Sequence, residues 1–145
     1  MQKKSFFRVS WFVRDIFCGM IIVKYMAEIL FKQSGIVEKG QELGKPIGFP
    51  TANIPFDDDR FSGTYAGRVI VEGKEYAAAV YANQNRKLLE AHLLDFSGDL
   101  YGKEMTVTLY EKIAEAKELK SEEDRKEFIA WAVRSVREYF SKTNI

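Results

Sequence analysis

The stretch GTYAGRVIVEGKEYAAAVY, residues 63–81, decides the fold. From Tyr65 onward it alternates with a period of two, the mark of a strand with one buried face. Gly73-Lys74 then reads as a two-residue turn, and Glu75 to Tyr81 runs back, so the stretch predicts a β-hairpin. Working outward, Leu88 to Phe96 and Met105 to Ile113 read as two further strands, with a turn at Ser97-Gly98-Asp99 between them. Upstream, Glu28 to Gln33, Gly35 to Glu38 and Phe49 to Ile54 are shorter strand pieces. Pro50 is confined to a strand start or edge. The last segment changes period. Phe128, Trp131, Ala132, Val136, Tyr139 and Phe140 recur at spacings of three and four, behind Ser121 as N-cap and the acids Glu122, Glu123 and Asp124. Short antiparallel strands followed by one helix predict a small barrel capped by that helix.

The chain has 145 residues, 46% apolar and 30% charged, with a net charge of +1. That length suits one domain with a real core. The near-zero charge removes the usual argument for a nucleic-acid or anionic-membrane surface binder. Cys18 is the single cysteine and His92 the single histidine, which excludes an internal disulfide, a thiolate zinc site and a His-His metal pair. A cytoplasmic monomer is the expectation. Residues 1–26 carry five basic residues against one acid, yet their longest uncharged apolar run, Ile16 to Val23, is only eight residues. A membrane-spanning helix needs about 20. They read as an N-terminal extension ahead of a domain covering residues 27–145, or as sequence upstream of a start at Met26.

Three stretches carry candidate chemistry. Gly40, Gly44, Lys45, Gly48 and Thr51 fall within a glycine-rich stretch that suits phosphate contact through backbone N–H groups, but no G-x-x-x-x-G-K-[ST] string is present. Read alone, it is a glycine-punctuated connection. In EAHLLDF, residues 90–96, strand alternation puts Glu90, His92, Leu94 and Phe96 on one face. A carboxylate there among apolar neighbours, partly desolvated, suits a general base; the bland alternative is a solvated edge-strand glutamate. His92 reads as a structural histidine. Asp99-Leu100-Tyr101-Gly102 is a turn whose Tyr101 either stacks on a ring or fills the barrel end.

Taken together, GFPTAN at 48–53, GTYA at 63–66 and EAHLLDF followed by GDLYG at 98–102 resemble, in order and spacing, the riboflavin kinase (flavokinase) family. The likeness covers residues 27 to 140. It implies a mainly β fold, a six-stranded antiparallel Greek-key barrel with a C-terminal α-helix. It implies transfer of the γ-phosphate of ATP to the 5′-hydroxyl of riboflavin, with FMN and ADP as products and Mg²⁺ accompanying ATP. By the same resemblance Glu90 is the catalytic base, Thr51 and Asn53 hold the metal and nucleotide phosphates, and Gly40, Gly44, Lys45 and Gly48 lie in the loop over those phosphates. Tyr101 would lie near the nucleotide. Such a transfer rests on positioning and charge stabilisation, so it needs neither a Walker motif nor a histidine triad.

Two departures stand out. Residues 81–89 are shorter than the family's Asn-Ile-Gly…Pro-Thr-Phe stretch and lack its pattern. Ala114 stands where an arginine is expected, in a region that contributes to the flavin site of relatives, so the flavin-binding residues are left unassigned. The competing reading is a non-catalytic flavin- or nucleotide-binding module on the same fold. With only 26 residues ahead of the domain, an additional FMN adenylyltransferase domain is not expected.

Overall fold

The computed structural model describes residues 12–17, 20–25, 27–39, 45 and 48–143, with the backbone alone for 12–17 and 20–25. Gly40 and Gly44 lie outside the described residues.

The central hairpin is formed by β5 (Gly63–Val71) and β6 (Lys74–Asn83), paired from Gly63↔Ala82 to Val71↔Lys74. Its turn is therefore Glu72-Gly73, one residue earlier than the sequence predicts. Both residues have positive φ, 51° at Glu72 and 74° at Gly73. That combination matches the right-handed twist of the flanking strands, and glycine takes one of the two positions without strain. On one side β5 pairs with β8 (Glu104–Ala114), which in turn pairs with β3 (Phe31–Ile36). On the other side β6 pairs with β7 (Leu88–Leu93), and β7 with β4 (Ala52–Pro55). The six-stranded order is β3-β8-β5-β6-β7-β4. The runs β4-β7-β6-β5 and β8-β5-β6-β7 are each a Greek key: three hairpin-linked strands with a fourth laid beside the far one.

The sheet curls until β3 meets β4, and the meeting is slight. Glu38 donates its backbone N–H to Asn53 O at 2.8 Å, the single bridge outside the named strands among the described residues. The Gln33 side chain donates to Pro55 O. Gly35 faces Ile54 so closely that a Cβ there would lie 3.1 Å from the Ile54 Cβ. A glycine at this seam lets the two strands close over the core. Inside, Ile54, Val69, Val80, Leu89, Met105, Val107 and Leu109 are fully buried. Phe31, Phe56 and Phe61 fill one end with ring contacts at 4.9 and 5.7 Å.

Helix α1 (Glu122–Lys142) starts where expected: Ser121 Oγ accepts the Asp124 N–H at 3.0 Å. It packs Ala132 and Val136, with Tyr139 and Phe140, onto Ala66, Ala79 and Leu94. Those three lie on the outside of the barrel wall, so the helix covers that wall rather than capping an end. Full burial of Val136 alone contributes about 1.5–3 kcal/mol. The other part of the apolar stripe is not used there: Trp131 is 40% exposed and rests on Phe128 at 5.6 Å.

Three sequence boundaries shift. The first barrel strand begins at Phe31 rather than Glu28, and β4 begins at Ala52 rather than Phe49. Strand β7 stops at Leu93, because Asp95 adopts φ 57° and breaks the extended chain. The sequence reading also found no strands before residue 27, yet β1 (Phe12–Phe17) and β2 (Met20–Tyr25) pair as an antiparallel hairpin. Their β-branched content supports that conformation. Among the described residues, no helix is long and apolar enough to cross a membrane.

Candidate functional site

Directly paired residues of an antiparallel sheet share a face. Thr64 pairs with Tyr81, Tyr81 with Glu90, and Glu90 with Asn53. These four side chains therefore form one row across β5, β6, β7 and β4, on the side away from the core. The next row, Ala66, Ala79 and His92, begins beneath the helix. Small residues there let α1 approach the wall, and the polar row runs alongside it. Asn53 and Thr64 are buried; Glu90 and Tyr81 are half-buried. Burial, and secondly the Glu90 charge, raise the Tyr81 phenol above its ordinary value.

Asn53 is the most unusual member. It is 2% exposed, and its Oδ1 is buried with no hydrogen-bond partner among the described residues. A buried carbonyl oxygen left without a donor costs about 1–3 kcal/mol. Such a group is stable in function when a ligand completes it, and a hard cation is one ligand an amide oxygen suits. Among the described residues no cluster of three or more His, Cys, Asp and Glu side chains exists that could hold a metal by itself. A metal here would draw its remaining ligands from phosphate and water, as Mg²⁺ commonly does.

Glu90 does not sit among apolar neighbours as the sequence reading expects. Asn83 Nδ2 donates to its Oε1 at 2.8 Å, and Arg86 Nη1 approaches the same oxygen at 3.5 Å. Oε2 takes no hydrogen bond from the described residues. Asn83 ends β6 and Arg86 lies in the β6–β7 connection, both within the segment 81–89 that the sequence reading sets apart. Alternation alone did not reveal them. The available signal was the polar pair Asn83 and Arg86, one at the strand end and one inside the four-residue connection.

His92 holds structure: its Nδ1 pairs with Pro50 O at 2.9 Å, and its ring meets Phe49 edge-on at 5.3 Å. It thereby fastens the FPTAN strand entry to β7. Below this entry opens a cleft of about 240 Å³ that brings together Lys45, Thr51, Phe96, Asp99 and Tyr101. Tyr101 is 37% exposed and is positioned by a turn in which Asp99 Oδ1 accepts the Tyr101 N–H at 2.9 Å. Gly102 N–H then ties the turn to Val37 O at 2.9 Å. Gly48, at φ 87°, is exposed and does not line the cleft. Thr51 lines the cleft two residues before Asn53, and so joins it to the polar row.

Ala114 ends β8 opposite Thr64. Its carbonyl lies so near Gly63 that a Cβ there would be 2.4 Å away, which requires glycine at φ 95°. Beyond it, Lys117, Leu119, Phe128 and Trp131 line a shallow hollow of about 470 Å³.

The family model described as riboflavin kinase (flavokinase) matches residues 28–140. A bifunctional riboflavin kinase/FMN adenylyltransferase of Escherichia coli K12 is 38% identical over 123 residues, 78% of this chain and 39% of its own length. The chain thus spans about two fifths of that curated relative. Among solved structures, a Streptococcus pneumoniae protein described as a macrolide-efflux protein aligns with TM-score 0.62 at 23% identity, over 73% of this chain and 38% of that one. A Trypanosoma brucei riboflavin kinase aligns with TM-score 0.58 at 23% identity, over 77% of each chain. At that identity both structures speak for the fold alone.

Proposed function

Because the chain belongs to the riboflavin kinase family, we propose that it phosphorylates riboflavin, using ATP, to give FMN and ADP. Glu90 Oε2 takes the proton of the 5′-hydroxyl. The resulting oxygen attacks the γ-phosphorus in line, and the bond from that phosphorus to the bridging oxygen of ADP breaks. The single observation that carries this reading is the pairing of Glu90 with Asn53: among the described residues, a carboxylate with one oxygen that takes no hydrogen bond stands opposite a buried amide oxygen without a partner. The amide oxygen alone would suit a binding module equally; the carboxylate opposite it and the membership of a kinase family favour turnover over the non-catalytic reading.

Asn53 Oδ1 and the Thr51 hydroxyl are the groups that would hold Mg²⁺, since both are neutral oxygens that suit a hard cation. That ion, when bound with ATP, supplies charge neutralisation to the transferring phosphoryl group. Lys45 and Tyr101 line the cleft beside Thr51 and fit contact with the nucleotide; Gly48, with Gly40 and Gly44, is assigned to the loop over its phosphates. The domain proper is taken to be residues 27–145, with residues 1–26 as an extension. The reading carries with it a cytoplasmic monomer with no nucleic-acid partner. The test is FMN formation from riboflavin, ATP and Mg²⁺ by residues 1–145 and by residues 26–145. Equal specific activity supports both the chemistry and the domain boundary. No FMN from either protein overturns the function. A folded but inactive 26–145 protein overturns the boundary alone.

A further inference from the structure

The β6–β7 hairpin tip, residues 83–90, places three polar groups in a closed chain. The Arg86 backbone N–H donates to Asn83 Oδ1 at 3.1 Å, and Asn83 Nδ2 donates to Glu90 Oε1 at 2.8 Å. Arg86 Nη1 reaches the same Oε1 at 3.5 Å. The first bond settles the second. With Oδ1 committed to a backbone donor, the amide of Asn83 can turn only its nitrogen toward the carboxylate. The loop itself is short and shaped: Asn83 pairs with Leu88, residues 84–87 make the connection, and Lys87 takes φ 53°. Gln84 anchors its outer side by donating to Asp59 O and Phe61 O at 2.8 and 2.9 Å. Every group that touches Oε1 thus comes from one eight-residue stretch.

We propose that Asn83 and Arg86 are positioning residues that hold Glu90 by one oxygen and aim the other at the substrate hydroxyl. This rests on the reading of Glu90 as the base. A glutamate left free on the outer face of a strand samples several rotamers, and a proton acceptor displaced by about 1 Å can cost about 100-fold in rate. Two donors on Oε1 remove that freedom while leaving the lone pairs of Oε2 unspent. The segment 81–89 therefore acts as a compact brace. The Arg86 side chain is only 29% exposed, and the Glu90 side chain 19%. Screening by solvent is accordingly reduced for this pair.

The discriminating variant is Asn83→Asp. It keeps an acceptor for the Arg86 N–H, so the loop stands, but it replaces the donor to Glu90 with a second carboxylate. Steady-state FMN formation should show kcat lowered about 100-fold with the riboflavin KM within about twofold of the parent, since orientation of a base acts on the chemical step. Arg86→Gln, which leaves the backbone bond to Asn83 untouched, should lower kcat about tenfold, and Arg86→Lys should recover part of it. The decisive readout is a double-mutant cycle. Combined with Glu90→Gln, neither substitution should cost anything further, because there is no base left to aim. The same fold-loss in both backgrounds would show that the loop acts otherwise, and parent-like kcat in Asn83→Asp would end the proposal outright. Parent-like kcat in Arg86→Gln would remove Arg86 from the brace. Normal turnover by Glu90→Gln alone would instead overturn the base assignment, and this inference with it.

Discussion

Replacing Asn53 with leucine should raise the stability of the ligand-free protein and abolish its response to Mg²⁺-ATP. The side chain is 2% exposed, and its Oδ1 has no partner. Leucine keeps the branch at Cγ and the number of side-chain heavy atoms, but its methyl groups are bulkier than the amide atoms they replace, so only part of the cost is recoverable. It removes a buried acceptor whose lack of a partner costs about 1–3 kcal/mol. Taking about 1–2 kcal/mol as the recoverable part, and about 3 °C per kcal/mol for a domain of this size, the midpoint should rise by about 3–6 °C. The parent protein gains in the opposite condition. At a ligand concentration of about 100 times Kd, binding to the folded state adds about 2.7 kcal/mol, or about 8 °C. The two proteins should therefore exchange rank. Asn53→Leu melts higher without Mg²⁺-ATP, and the parent melts higher with it. Thermal unfolding followed by circular dichroism, with and without saturating Mg²⁺-ATP, reads both arms. If Asn53→Leu loses stability in the absence of ligand, the amide oxygen is satisfied in solution and the argument fails. If it keeps the full Mg²⁺-ATP shift, Asn53 is no part of the metal–nucleotide site.

Glu90→Gln keeps the size of the side chain and removes its basicity, so kcat should fall by about 10²–10⁴-fold. Riboflavin affinity, followed by flavin fluorescence, should hardly change. Thr51→Val deletes a hydroxyl at constant shape. It should raise the Mg²⁺ concentration needed for half-maximal FMN formation, while an unchanged Mg²⁺ titration would remove Thr51 from the metal site. Arg137 donates two hydrogen bonds to the Asp95 carboxylate, at 2.9 and 2.7 Å, and holds its carboxyl below the ordinary value. A carboxyl lowered by folding adds stability above its unfolded value of about 3.9 and loses it as pH falls through the lowered one. Asp95→Asn should accordingly melt below the parent at pH 7, with the gap closing in strongly acidic buffer. Asparagine tolerates the φ of 57° at this position, so backbone strain does not confuse the comparison. Gly67→Ala would place a Cβ 2.8 Å from Thr108 O and 2.8 Å from Val80 Cγ2, and should destabilise by about 1–3 kcal/mol in urea unfolding.

The barrel was legible because its strands obey a local rule. Tyr65, Val69 and Val71 are buried while Ile70 is 41% exposed, as alternation requires. The helix start was legible from Ser121 and the acids behind it. Its docking was not, since periodicity tells which residues face something but not which wall they meet; Ala66 and Ala79 receive the helix because they are small. The Glu72-Gly73 turn was misplaced by one residue because glycine can serve at either turn position, and only the register Val71↔Lys74 decides. At the site, Glu90, Thr51 and Asn53 stood out through their motifs. Asn83 and Arg86 did not, because their importance arises from hydrogen bonds across a loop rather than from any spacing along the chain.

The slight closure between β3 and β4 bears on how the molecule breathes. Opening free energies in a folded protein track the number of cooperative contacts that must be given up together. A seam that, among the described residues, has one backbone bridge, Glu38 to Asn53, and one side-chain bond, Gln33 to Pro55, gives up few. The Glu38 amide is then among the first in the sheet to exchange with solvent, well ahead of the β5–β6 ladder. Asn53 belongs to both the seam and the polar row. A ligand that seats on its amide oxygen therefore also latches the barrel, and occupancy of the site is legible at a distance as slowed hydrogen exchange along the β3–β4 edge.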